Sequence, residues 1–153
     1  MAMMESVFDD GVRETIQRRI AQLGPDARRQ FGRMNAGQMV CHLADQLRIA
    51  LGEIPSRPMP GSRALRYTPV KQLVIDVMPW PKGRVRAPPE VFTTVPGDWT
   101  RDVAALHDLL ERFASHVGDR TWPSHPRFGD MTGPLWGRLT RRHFDHHLRQ
   151  FGV

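Results

Sequence analysis

Cysteine occurs once, at Cys41, so no disulfide can form within the chain. Lysine is almost as scarce, present at Lys71 and Lys82, and arginine carries nearly all of the net charge of +6. No run of five or more like charges occurs and the arginines are spread over the whole length, so the charge points to no interaction tail. Long apolar runs are also missing. Residues 73–78 are interrupted by Asp76 and stopped by Pro79, far short of the ~20 residues that cross a bilayer. A transmembrane role is excluded on that ground, and residues 1–10 hold neither the basic stretch nor the apolar run of a signal peptide. The expectation is a cytoplasmic chain whose 153 residues form a single domain over 1–153.

What the chain does contain is helical periodicity. Phe8, Val12, Ile16, Ile20 and Leu23 recur every three or four residues before Gly24-Pro25, which predicts a helix over 9–22. A second helix is expected over 35–51, with Asn35 as its N-cap and Gly52 as its stop. A third opens at Asp98 and carries Trp99, Val103, Leu106, Leu110, Phe113 and Val117 as an apolar stripe. A fourth opens near Thr132, accepts Pro134 in its first turn and runs to Phe151, where Gly152 ends it. Residues 52–97 hold most of the prolines, Pro88 and Pro89 among them, which forbids long regular elements there. Within that connection Val70, Leu73, Val74, Val77 and Met78 fit a short extra helix, although a strand has the same apolar content. The predicted fold is therefore all-α, four helices with a proline-rich connection between the second and third.

Seven histidines are the main chemical resource, and His143 and His147 lie four apart, one turn along one helix face. On a wheel of the fourth helix both fall within the apolar arc with Trp136, Leu139, Phe144, Leu148 and Phe151, while Asp145 and the arginines take the solvated side. His146 falls on the rim of the arc. In the second helix His42 shares the inward side with Met39, Leu43 and Leu47, and Cys41 and Arg48 point the other way. Three inward imidazoles on two helices are costly to bury unpaired, and a divalent cation would satisfy all three at once. The alternative is that they are ordinary hydrogen-bonded core residues. Asp45 and Gln46, three and four residues after His42, are weaker catalytic candidates, as is His146. Their blander readings are a surface ion pair for Asp45, a core-edge hydrogen bond for Gln46 and a dimer contact or outer-shell role for His146. Asp145 is expected to be solvated or paired with Arg141, Arg142 or Arg149. His125 and His107 are read as structural, and the four tryptophans as packing rather than a base-stacking platform.

The stretches 38–45 (Gln-Met-Val-Cys-His-Leu-Ala-Asp) and 143–150 (His-Phe-Asp-His-His-Leu-Arg-Gln) resemble the two motif regions of the DinB-like, damage-inducible superfamily of four-helix metalloproteins. The ending from His125-Pro126-Arg127-Phe128-Gly129 through Trp136-Gly137 to Phe151-Gly152 looks like an uncharacterised branch of it. The resemblance implies an up-up-down-down four-helix bundle, often dimeric, with His42, His143 and His147 as ligands of zinc, nickel or a similar ion. It also implies a small-molecule substrate, in the better-understood relatives a low-molecular-weight thiol transferred to an electrophile. Nitrogen ligation suits zinc, nickel, iron or copper and disfavours calcium and magnesium. The reading is thus a metal-dependent transferase or hydrolase acting as a homodimer. Competing with it are a non-catalytic bundle that binds a small ligand or partner helix, and a basic nucleic-acid-binding module.

Overall fold

A computed structural model describes residues 4–82, 89–118 and 121–153. Five α-helices carry the fold: α1 (Asp10–Ala21), α2 (Ala36–Leu51), α3 (Thr68–Asp76), α4 (Trp99–Ser115) and α5 (Gly133–Arg149). Short 3-10 turns stand at Arg63–Arg66 and Pro89–Phe92. There is no strand among the described residues, and the one β-bridge joins His125 to Gly129 across a loop. No helix among them is long and apolar enough to cross a membrane.

The local chemistry explains where the long helices begin and end. Asn35 and Gln38 close a reciprocal capping box, the side chain of each accepting from the other's backbone N–H at 2.8 and 2.9 Å. Gly52 then stops α2 in the left-handed region, at φ 79°, where a side chain would be strained. Asp98 caps α4 by accepting from the Arg101 N–H at 2.8 Å, and Thr132 caps α5 ahead of Pro134. α4 ends at Ser115, so Val117 lies past the helix and 65% exposed rather than on the apolar stripe expected of it.

α2 is the central element, with most of its residues buried, and it packs against both α4 and α5. α1 packs against the same two helices, placing Ile16 and Ile20 in the core with Trp136, Phe113 and Phe144. The segment before α1 crosses α5 at Gly137, where the Val7 N–H donates to the Gly137 carbonyl. Among the tryptophans, Trp136 is fully buried, and Trp80, Trp99 and Trp122 pack against the core from its edge.

The proline-rich connection contains the expected short helix, which leaves part of its apolar surface outward. In α3 Lys71 and Ile75 are buried and Val74 packs on the core, whereas Leu73 is 50% exposed and Val77, just past the helix, 66%. Polar tethers decide that orientation: Arg138 pairs with Asp76 at 2.8 Å, and Lys71 donates to the Asp130 carbonyl at 2.6 Å. Arg142 adds bonds to the carbonyls of Ile75 and Met78 at the helix's C-terminal end. The part of the connection holding Pro88, residues 83–88, lies outside the described residues.

Candidate metal centre

α2 turns His42 into the core, 3% exposed, and α5 brings His143 and His147 to the same point from successive turns. The three Nε2 atoms form a near-equilateral triangle, His42 to His143 2.9 Å, His42 to His147 3.0 Å and His143 to His147 3.0 Å. The rings stand edge-on to one another at 69°, 78° and 85°, as rings arranged around a shared centre do.

Two of the outer nitrogens have fixed partners. His42 Nδ1 lies 3.1 Å from the Val91 carbonyl oxygen, and His147 Nδ1 lies 2.7 Å from Gln150 Oε1. Both partners accept hydrogen bonds, so each Nδ1 carries the proton and donates it, leaving a bare lone pair on each Nε2. These lone pairs face each other at 3.0 Å with no proton of their own between them. Such an arrangement is repulsive unless a cation or a shared proton sits at the centre. His143 Nδ1 is buried without a hydrogen-bond partner among the described residues.

Burial also keeps these rings neutral. It pushes His42 down to about 4, against a smaller upward pull from the Val91 carbonyl and the Asp45 charge. His147 is pushed to about 3, by burial first and the neighbouring His42 second. His143 is held well below the ordinary imidazole value by burial and by the other two rings. Neutral imidazoles with converging lone pairs are the form in which histidine ligates a metal. The cluster could hold a metal ion, and its chemistry does not distinguish one transition metal from another.

The expected surface pair at Asp45 is not what the fold builds. Asp45 is fully buried and accepts from the Thr94 N–H at 2.7 Å, the Thr94 hydroxyl at 2.5 Å and Arg48 at 2.8 Å. It therefore fixes the segment that delivers the Val91 carbonyl to His42 and stacks the Phe92 ring on it at 5.1 Å. Val91, Phe92, Thr94 and Gln150 as partners of the centre are absent from the sequence reading. The first three reach it from a distant segment, and only Gln150, three residues after His147, carries a local signal.

The remaining candidates fall outside the triangle. Gln46 is buried at the core edge, and His146 lies half-buried between the Phe31 and Trp80 rings, 5.9 Å from each. Cys41, expected on the outward side of α2, is instead 3% exposed and packs toward Asp102 of α4. Burial and the Asp102 charge push its thiol up to about 11. Asp145 pairs with Arg149 as expected, and also with Arg19 of α1. His125 is a structural ring, its Nδ1 accepting from the backbone N–H groups of Arg127 and Phe128. His107 is half-buried on α4, its Nε2 without a partner among the described residues.

Two clefts flank the centre. One of about 460 Å³ is walled by His42, Phe92 and Val95, and one of about 570 Å³ by Phe31, Trp80 and His146. Trp80 separates the second from His143, ring to ring at 6.4 Å.

No curated protein and no solved structure matches the chain. A family model does, over residues 4–152, a span that takes in all three histidines, Asp45 and Gln150. The chain belongs to that family, DUF1569, described as protein of unknown function.

Proposed function

We propose that His42, His143 and His147 bind one divalent transition ion and that the protein is a metal-dependent enzyme of the DinB-like type. Zinc or nickel is the proposed ion, with iron or copper also suited to nitrogen ligands. The observation that carries this reading is the pair of facing Nε2 lone pairs on His42 and His147, whose protons are already committed to Val91 and Gln150. A bound ion would lower the pKa of a water or thiol in an open coordination position and supply a nucleophile near neutral pH.

The chain's own residues have separable tasks. Val91 and Gln150 set the tautomers of two ligand rings, and Asp45 holds the segment that contains Val91. Phe92 and Trp80 shield the rings from bulk water on two sides. Transfer of a small thiol, or hydrolysis, is the reaction class that such a centre and the DinB-like resemblance favour, with a small molecule as substrate. The helix contacts support the same assignment. α1 and α2 each pack on both α4 and α5, which closes a ring of four long helices suited to a four-helix bundle over a single domain, 1–153.

Homodimer formation belongs to this proposal, and the apolar surface that α3 leaves outward favours it; a monomeric mass in light scattering would remove it. Cytoplasmic residence is part of it too, and the buried free thiol of Cys41 is compatible with it. Six of the arginines give the nucleic-acid reading no support. Arg13, Arg19, Arg48, Arg112, Arg138 and Arg141 are each tied to a carboxylate rather than arrayed along a groove.

The test is elemental analysis with native mass spectrometry on protein purified without chelator. About one transition metal per chain is expected, lost in His42→Ala and His147→Ala variants that still melt cooperatively. A metal-free native protein that remains metal-free after incubation with zinc or nickel would overturn the proposal.

A further inference from the structure

The geometry points to the larger cleft, between Phe31 and Trp80, as a binding site for a small planar organic anion such as an aromatic carboxylate. Its volume of about 570 Å³ is that of a small-molecule pocket. Two aromatic rings line the cleft, Phe31 ahead of α2 and Trp80 beyond α3, with the His146 imidazole between them, edge-on to Phe31 and tilted to Trp80. A planar ring entering there exchanges water for the aromatic surface these side chains present.

The charge of the cleft is unbalanced. Lys82 sits over the Phe31 ring, its ammonium 5.1 Å from the centroid, and has no carboxylate partner among the described residues. Arg142 lies over Trp80 at 5.2 Å and spends its N–H groups on the carbonyls of Val74, Ile75 and Met78, which are neutral acceptors. The acidic side chain on the lining, Asp145, is already shared by Arg19 at 2.9 Å and Arg149 at 3.0 Å. Arg19 also takes the Val153 main-chain oxygen. Two cations backed by rings, with the nearby acid committed elsewhere, attract an anion whose body is itself flat.

Trp80 and His146 stand between the cleft and the ligand rings, so only a role for the cleft in positioning substrate beside the proposed centre rests on the metal reading. As a binding site the cleft does not, since none of the three ligand histidines lines it. The probe is 1-naphthoate, titrated into the full chain and followed by calorimetry and tryptophan fluorescence, with Trp80→Phe assigning the signal. Lys82→Gln should weaken binding about tenfold and Lys82→Arg should restore it. The neutral analogue 1-naphthalenemethanol and inorganic phosphate should each bind at least about tenfold more weakly than naphthoate, one lacking the charge and the other the ring.

The same titration on His42→Ala protein separates the two proposals. Retained naphthoate affinity there upholds the cleft, whether or not the native protein carries metal. Binding that vanishes with the metal would place the carboxylate on the ion and overturn the cleft assignment, as would equal affinity for the alcohol or indifference to Lys82→Gln.

Discussion

Asp45 touches no ring of the histidine triangle, yet its carboxylate is the anchor for the segment that orients His42. Replacing it with asparagine turns one of its two acceptor oxygens into a donor, facing Thr94 or Arg48 across a fully buried contact. Asp45→Asn should therefore weaken metal affinity by about 10–100-fold in chelator competition, with the folded, cooperatively melting protein otherwise preserved. Thr94→Val should do the same to a smaller degree. Unchanged affinity in both would show that the clamp serves stability alone. Gln150 allows a sharper comparison. Gln150→Leu leaves the His147 Nδ1–H buried without an acceptor and should lower affinity, whereas Gln150→Glu keeps the acceptor and should not. At this scale the histidine cluster was legible from spacing, since His143 and His147 share a helix face and His42 an apolar side. Asp45 was misread because its partner, Thr94, lies forty-nine positions away, and no periodicity within α2 announces it.

The helices themselves follow from local chemistry, most clearly α2 and α4. Asn35, Gly52 and Asp98 set three of their four ends, and each residue type is suited to its position by backbone geometry or capping oxygen. Gly137 is different, because its requirement is tertiary. A Cβ there would stand 2.5 Å from the Phe8 ring and 2.3 Å from Ser6 Oγ, in a close crossing of the N-terminal segment over α5. Gly137→Ala should cost about 1–3 kcal/mol in urea denaturation despite alanine's better helix propensity. A neutral or stabilising result would show that the crossing does not require glycine. α3 shows the converse. Its apolar positions fitted a short helix or a strand without saying what they would meet, and ion pairs and carbonyl contacts from α5 hold it with Ile75 inward and Leu73 toward solvent. The stem of Lys71 fills the space instead, its ammonium reaching the Asp130 carbonyl.

For the molecule as a whole the buried imidazoles couple stability to pH. His42 is pushed down to about 4, His147 and His125 to about 3, and His143 well below its usual value, all chiefly by burial. The unfolded chain binds protons on these rings near 6.5 and the folded one does not. Stability is therefore present above about pH 6.5 and is lost as pH falls from there through about 4 for His42 and about 3 for His147 and His125. The slope is about 1.4 kcal/mol per pH unit for each ring held neutral. Thermal melts should be flat between about pH 7 and 8 and fall steeply below about pH 6.5, and a His125→Phe variant that still folds should fall less steeply. Equal melting temperatures at pH 7.5 and pH 5 would contradict the burial of these rings. Added zinc or nickel should raise the melting temperature of metal-stripped protein, by about 2.7 kcal/mol of stability at a hundredfold excess over Kd.

The sequence by itself determined the helices and which side chains share a face, because a repeat of 3.6 residues is a property of the chain alone. It determined in this way that His42, His143 and His147 could meet. Tertiary structure decided what each face meets: the Val91 carbonyl on His42, the buried clamp at Asp45, the inward turn of Cys41 and the outward apolar surface of α3. Those outcomes depend on where the connection after α2 returns to the core. That path is set by which buried polar groups find partners across long sequence separations, and no local pattern encodes it.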